Sequence, residues 1–478
     1  MSDSDGYSSY LAGMSDKNFN DPIHGYISFD NFTMDIIDTP QFQRLRYLKQ
    51  MGASYFIFPG ASHNRFEHCL GVGHLAGNLI RRFKESQPEL DITKQDMKCV
   101  KIAGLCHDLG HGPFSHLFDA CIIPRLQPNS NWTHEQGSQK MFKYLVDDNN
   151  IDLDQDEVSL INDLIIGQPT HHGRRFEEKR FLFDIIANQR NGVDVDKFDY
   201  LSRDCYNLGL KNSYDSSRLM IASRVIDDQI CYHHKEVYNL YDMFHTRYSL
   251  FKRIYTHKVE GAIEHMLVDA LVKAEPYLKL TEALHDPERY LYLTDDILRD
   301  VERSAIPELA ESRELIKRIR SRQLYKFVDE FIIPGELREH LTETTINPVA
   351  ISTHQEDGAN LNPDDIIVHW NKLNYGKNTQ NPVDSIRFFN KFNDYQSFTI
   401  SRESVSYLIP VHFCEFAIRV YTRDVSKANT IQKAFRKLIR EWKSKPNSPK
   451  IDLVTNHGND VPIDYESPRK RRLIFPNP

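Results

Sequence analysis

Two imidazoles and two carboxylates stand out first: His68, the adjacent pair His107-Asp108, and Asp196. Imidazole and carboxylate together suit a divalent cation that keeps positions open for water and phosphate oxygen. An isolated His-Asp dipeptide is weak evidence, because neighbours on a helix point about 100° apart. Here the pair closes an apolar helical stretch and runs into Leu109-Gly110-His111-Gly112-Pro113-Phe114-Ser115-His116, where the glycines let the chain turn sharply. Histidines this dense make poor core material, since each buried neutral ring needs hydrogen-bond partners. The chemistry indicated is phosphoryl transfer: a cation lowers the pKa of a bound water toward roughly 7. The leaving oxygen then needs a proton, and histidine is the natural donor at neutral pH. His111, His116 and His134 are the candidate donors, with Asp119 as an orienting carboxylate. A polyphosphate also needs converging cations, and Arg65, Lys197 and Arg247 are the candidates. Arg65 lies one helical turn before His68, so both can face one centre.

These motifs carry a resemblance. Ser62-His63-Asn64-Arg65-Phe66-Glu67-His68, followed by His107 to His116, is similar to the HD-domain deoxynucleoside triphosphate triphosphohydrolases. The likeness is greatest to the animal branch that joins a sterile-alpha-motif domain to the HD domain. Asn191-Gly192-Val193-Asp194-Val195-Asp196-Lys197-Phe198-Asp199-Tyr200 and Asp242-Met243-Phe244-His245-Thr246-Arg247 resemble the same family, and the likeness runs from about Asn20 to Val425. It implies a helical HD core cleaving dNTPs into deoxynucleoside and triphosphate. It also implies His68, His107, Asp108 and Asp196 as metal ligands. By the same resemblance the metal would be zinc, iron, manganese or magnesium: a transition metal in the HD site, with magnesium accompanying the nucleotides. His116 would be the general acid oriented by Asp119, with His111 and His134 on the phosphates. Gln50, Asp204, Tyr200 and Tyr255 would read the sugar. Met51 replaces the usual leucine beside Gln50, and Phe251 replaces a histidine.

The resemblance further implies activation by nucleotides that join subunits, from dimer to tetramer. Asp38, Gln43 and Arg46 match a guanine-reading site for dGTP or GTP, with Lys17 offered from a neighbouring subunit. Asn20, Arg218, Lys235, Asn239, His257, Lys258 and Arg419 match a second nucleotide site, where His233 replaces an arginine and Phe56 a tyrosine. The chain is read as lacking the sterile-alpha-motif domain.

The elements that must position these groups are mainly helical, with a smaller α+β lobe. Asp38-Thr39-Pro40 reads as a capped helix start. Arg65 to Arg82, Gln95 to Cys106, Val193 to Asn207 and Leu240 to Met266 read as helices. Thr133 followed by Gln136 reads as a capping box. Val349 to Ser352, Asp365 to Trp370, Ile386 to Asn390, Phe398 to Ser401 and Phe416 to Tyr421 read as strands, and Ala428 to Lys443 as an amphipathic helix. The division expected is a tail over 1–18, an HD domain over 19–300, a C-terminal lobe over 301–445 and a basic tail over 446–478. Gly71-Val72-Gly73-His74-Leu75-Ala76 fits a dinucleotide-binding pattern but stands in a helical context, which excludes that reading.

Net charge is −7, with 40% hydrophobic and 27% charged residues, as in an ordinary globular protein. No apolar run approaches the roughly 18 residues of a membrane span. The acidic start is unlike a signal peptide, and seven cysteines without a Cys-x-x-Cys pair point to reduced thiols in nucleus or cytoplasm. Pro468-Arg469-Lys470-Arg471-Arg472 resembles a nuclear import signal, and Arg471-Arg472-Leu473-Ile474-Phe475 a cyclin-docking pattern downstream of Ser448-Pro449-Lys450. The competing readings are an HD phosphohydrolase for another nucleotide and an HD fold that holds single-stranded nucleic acid.

Overall fold

The computed structural model describes residues 16–169, 178–356 and 358–444. In chain order come a hairpin of β1 (Lys17–Asp21) and β2 (Gly25–Phe29), then α1 (Arg65–Ser86), α2 (Lys94–Cys106), α3 (His134–Asp148), α4 (Gln155–Ile166) and α5 (Val195–Asn207). Strands β3 (Ser223–Ile226) and β4 (Gln229–His233) lead to α6 (Val237–Leu250), α7 (Lys258–Leu278) and α8 (Ala310–Arg320). Beyond them lie β5 (Lys326–Ile333), α9 (Pro348–Thr353), β6 (Ile366–Asn374), β7 (Phe388–Asn390), β8 (Asn393–Phe398), β9 (Cys414–Thr422) and α10 (Ala428–Ser444). The fold is mainly α, as expected.

The chain forms two compact units, one running to Arg322 and taking in Asn374–Cys414, the other formed by Gln323–Leu373 and the chain from Glu415. In the first, α1 packs along α2 and α5, and α2 along α4. Their buried faces carry Val72, Ile80, Phe83, Val100, Ile102, Ile161 and Leu164 at helical spacing, so burial of this apolar stripe holds the layer together. Asn64 and Glu67 form a capping box at the start of α1, as Thr93 and Asp96 do for α2, and this fixes where the helix bearing His68 begins. Thr39 caps the short helix Pro40–Gln43 by accepting from Phe42 N. A four-stranded sheet, ordered β3-β4-β7-β8, belongs to the same unit. In it Tyr232 pairs in parallel with Phe388.

In the second unit β5, β9 and β6 form a sheet, with Lys326 opposite Thr422 in the antiparallel β5–β9 pair. The apolar face of α10, with Ile431, Phe435, Leu438 and Ile439, covers Val328, Ile418 and Val420.

Some expectations differ. Leu240 to Met266 is not one helix but the end of α6 and the start of α7, parted by a π-helical turn at Phe251–Tyr255 and the extended cap His257. Val349 to Ser352 is not a strand but lies in α9, because Asn347 caps Ala350 N at 2.8 Å and Pro348 occupies the first turn. A good cap overrode the β-branched run. The last strand of the small sheet is Asn393–Phe398, earlier than Phe398 to Ser401. The first unit extends to Arg322 because α8 packs on α7, and takes in Asn374–Cys414 because β7 joins β4.

Gly71 and Gly73 lie inside α1, consistent with excluding a dinucleotide fingerprint. None of the seven cysteines is in a disulfide. Among the described residues no helix is long and apolar enough to cross a membrane. The basic and cyclin-docking motifs at 468–475, and Ser448, lie outside the described residues.

Candidate functional site

Helix α1 presents His68, α2 ends at His107-Asp108, and α5 presents Asp196 in its first turn. The metal-ligating atoms of His68, His107 and Asp196 lie within 4.8 Å of one another. His68 Nε2 is 3.2 Å from Asp196 Oδ1 and 3.6 Å from Asp108 Oδ2, and His107 Nε2 is 3.4 Å from Asp108 Oδ1. All four predicted ligands therefore converge.

The tautomers suit a cation. His68 Nδ1 lies 2.7 Å from Asp199 Oδ2 and donates there, and His107 Nδ1 donates to Gly104 O at 2.8 Å. Each ring thereby turns its Nε2 lone pair to the same centre. His107 Nε2 is buried without a hydrogen-bond partner, an orphan of the kind a bound ion satisfies. Burial is the strongest influence on His68 and opposes its charge, yet hydrogen bonds to Asp196 and Asp199 lift its pKa to about 10. A proton thus supplies the positive charge that these carboxylates demand, and a divalent cation would displace it. Burial likewise opposes ionisation of Asp108, but Arg65 and two histidines hold it well below the usual carboxylate range. The residues present fit a metal ion.

The turn after the pair is held from several sides. Gly110 N donates to Ser138 Oγ at 2.9 Å, and that hydroxyl donates to His107 O at 2.6 Å. A Cβ on Gly110 would stand 2.0 Å from Ser138 N, so only glycine lets the motif lie against α3. Phe114 and Ser115 both adopt left-handed φ, 62° and 57°, a costly pair of conformations. Asp295 Oδ1 accepts from Phe114 N at 2.7 Å, and Ser115 Oγ donates to Lys49 O at 2.6 Å, which hold the strain in place. A π-helical turn, Phe118–Ile122, then carries Asp119.

The three candidate proton donors form one ring cluster. His111 stacks on His134 at 4.0 Å and 17°, and His116 meets both edge-on at 4.9 and 5.1 Å. Asp119 Oδ2 accepts from His134 Nδ1 at 2.8 Å, whereas His116 Nδ1 stands 3.8 Å from Asp119 Oδ1. The carboxylate expected to orient His116 is thus bonded to His134. Burial opposes charge on His134, but Asp119 raises its pKa. His116 is pushed down to about 4, by desolvation first and then by Arg65 and His134. Its ring nevertheless opens toward the cavity, with 69% of the side chain exposed.

That cavity, about 780 Å³, is lined by the metal-site residues and by all eight predicted substrate residues: Gln50, Met51, Arg65, Lys197, Tyr200, Asp204, Arg247 and Tyr255. Its size suits a nucleotide. Arg65 bonds Asp108, and its Nε donates to Ser115 Oγ at 2.8 Å. Lys197 is held 3.1 Å from Asp194. Arg247 donates to Asn374 O at 2.8 Å, and its guanidinium lies 4.5 Å over Phe251. Tyr255, on a second π-helical turn, Phe251–Tyr255, donates to Asp204 Oδ2 at 2.5 Å, and His63 Nε2 bonds the other oxygen at 2.6 Å. Gln50 Oε1 is buried without a partner.

Reading the residues alone missed Asp199 and His63. Both stand inside the motifs, but their partners, His68 and Asp204, lie 131 and 141 residues away in sequence. Only the fold pairs them. Helical spacing did offer one signal, Asp199 four residues before Arg203.

The candidate regulatory residues are more dispersed. Asp38 ends the helix Asn31–Ile37, Gln43 Nε2 donates to Ile37 O at 2.7 Å, and Arg46 donates to Gln43 Oε1 at 2.7 Å while lying 3.5 Å over Phe66. These three share one surface turn. Lys17 and Asn20 lie on β1. Arg218 and Asn239 both bond Glu236, next to Lys235, and His257 caps α7 ahead of Lys258. Arg419, on β9 of the second unit, bonds Glu330 at 2.5 Å.

Comparison with known proteins agrees with this geometry. A family model described as the HD domain matches residues 65–204. The chain is 48% identical over 439 residues to the deoxynucleoside triphosphate triphosphohydrolase SAMHD1 homolog of Dictyostelium discoideum, covering 92% of this chain and 83% of that protein. It is 44% identical to SAMHD1 of Bos taurus, over 85% of this chain and 75% of the relative. Against SAMHD1 of Homo sapiens it is 42% identical, over 89% and 73%.

Proposed function

Because the chain belongs to the SAMHD1 family of HD-domain deoxynucleoside triphosphate triphosphohydrolases, we propose that it hydrolyses dNTPs to deoxynucleoside and intact triphosphate. One observation carries the reading: a single 780 Å³ cavity gathers the metal-site residues, the histidine cluster, three cations and the sugar-reading groups.

In the reaction a water oxygen bonds to the α-phosphorus, the bond to O5′ breaks, and O5′ leaves with a proton. A divalent cation, when bound, supplies Lewis acidity and an acidified water. His68, His107, Asp108 and Asp196 would hold it. Arg65, Lys197 and Arg247 meet the phosphate charge, Arg as a fork and Lys as a point charge. His116, open to the cavity, gives its proton to O5′; the anionic triphosphate beside it raises its pKa from the low value of the empty pocket. The Asp119–His134 pair and His111 face the phosphates. Gln50 reads the 3′-hydroxyl, while Tyr200, Tyr255 and Asp204 crowd the sugar against Met51 and favour deoxyribose.

The regulatory part of the proposal is that dGTP or GTP binds at Asp38, Gln43 and Arg46, with Lys17 of a second copy. A dNTP would bind at the second set, assembling dimers into tetramers. Asp38 suits a guanine N1–H and N2 amine, and Arg46 its O6. The transition metal of the HD site, magnesium with the nucleotides, and a location in nucleus, cytoplasm or both belong to the same proposal.

Product analysis tests it. Each dNTP, and GTP, is incubated with metal-loaded protein. Deoxynucleoside plus intact triphosphate is expected; monophosphate or pyrophosphate would point to an HD phosphohydrolase of another class.

A further inference from the structure

Asp199 accepts four hydrogen bonds, two at each oxygen. Oδ2 takes His68 Nδ1 at 2.7 Å and Arg203 Nε at 2.9 Å; Oδ1 takes Arg203 Nη2 at 2.8 Å and His24 Nε2 at 2.7 Å. Asp199 and Arg203 are completely buried. The remaining arm of Arg203 donates to Asp21 Oδ2 at 2.8 Å, and Asp21 Oδ1 accepts Ile23 N and His24 N at 2.8 and 2.9 Å, closing the turn between β1 and β2. Gly71 on α1 makes the room: a Cβ there would lie 1.9 Å from Asp199 Oδ1 and 2.7 Å from Arg203 Nη2. The carboxylate that orients a metal-site histidine is therefore gripped on its far side by the N-terminal hairpin, 175 residues distant in sequence.

We propose that Asp199 is a positioning residue for His68, and that the hairpin Lys17–Phe29, through His24 and Asp21, completes the clamp, so that its seating sets how tightly the centre holds a divalent cation. The proposal rests on the metal-centre reading above. The physical ground is that an outer carboxylate fixes the tautomer and angle of a ligating imidazole. A carboxylate with four filled lone-pair positions cannot rotate without breaking a bond made at a site where water does not replace it. Loss of the hairpin donor frees Asp199 to swing, and His68 with it. The hairpin also bears Lys17 and Asn20, so a ligand there would act on this same carboxylate.

The test measures Mn²⁺ affinity of the full chain after stripping with a chelator, alongside thermal unfolding of the metal-free protein. D199N is expected to weaken binding about 10- to 100-fold. H24A should weaken it less but in the same direction, and H24Q, whose amide still donates to Asp199, should recover part of the loss. S312A, which removes the buried hydroxyl bonded to Ala270 O between α8 and α7 of the same unit, should leave affinity unchanged even where it lowers the unfolding temperature. Wild-type affinity in D199N or H24A overturns the proposal, as does an equal loss in S312A. If D199N fails to fold, H24A decides, since it leaves the His68–Asp199 bond in place. Wild-type protein that takes up no Mn²⁺, Zn²⁺ or Fe²⁺ would overturn the metal-centre reading itself, an outcome distinct from metal uptake that ignores His24.

Discussion

His134 Nδ1 stands 2.8 Å from Asp119 Oδ2, while His116, three residues before Asp119 in sequence, stands 3.8 Å from the same carboxylate. The partner chosen is distant in sequence because the π-helical turn at Phe118 swings Asp119 toward the start of α3.

This pairing sets a pH dependence. Asp119 raises the pKa of His134, so the charged ring persists to higher pH than a free imidazole and is lost as pH rises through the raised value. D119N should bring that loss to lower pH. KM for a dNTP should then rise several-fold at pH 8 but little at pH 6, and H134Q should remove the difference. Steady-state kinetics across pH 5.5 to 9 measures it; an unchanged KM profile in D119N would refute the role.

Metal removal gives the second prediction. Chelation should abolish turnover and lower the unfolding temperature, since ligand binding stabilises the folded state alone. H107A removes an orphaned buried nitrogen aimed at the centre. Its metal affinity should fall on the order of 100-fold or more, read by elemental analysis after dialysis.

Gly110 allows the third. Any side chain there meets Ser138 N at 2.0 Å and His134 O at 2.2 Å, all backbone. G110A should cost about 3 kcal/mol of stability and displace the histidine cluster. Denaturant unfolding, with kcat measured on the folded fraction, checks both.

Fourth, Glu264 lines the cavity with Glu260, and burial pushes its pKa up to about 7. The folded protein therefore binds more protons than the unfolded chain between about 4.5 and 7. Its contribution is present in full below that window and is lost as pH rises through it. E264Q should flatten the slope and gain on the order of 1–2 kcal/mol at pH 8 relative to wild type. Equal slopes for both proteins would dismiss the assignment.

Fifth, dATP cleavage should accelerate when dGTP is added, and D38N should reduce the ratio of activated to unactivated rate, since Asp38 is the proposed acceptor for guanine. Equal rates with and without dGTP in the wild type would remove the regulatory proposal.

Much of the site was legible before any coordinates. His68, His107, Asp108 and Asp196 carry a chemistry that few other combinations serve, and the helices over Arg65 to Arg82 and Gln95 to Cys106 that bear the first three show in their apolar spacing. Local rules governed these features, so residue types and spacing sufficed. The strand wrongly expected at Val349 shows the limit of propensity where Asn347 and Pro348 cap a helix. Tertiary structure alone decided that Asp199 bonds both His68 and His24, that Asp119 serves His134, and that His63 shares Asp204 with Tyr255. Those bonds join segments that only chain packing brings together, and a buried carboxylate takes whichever donors the fold sets within reach.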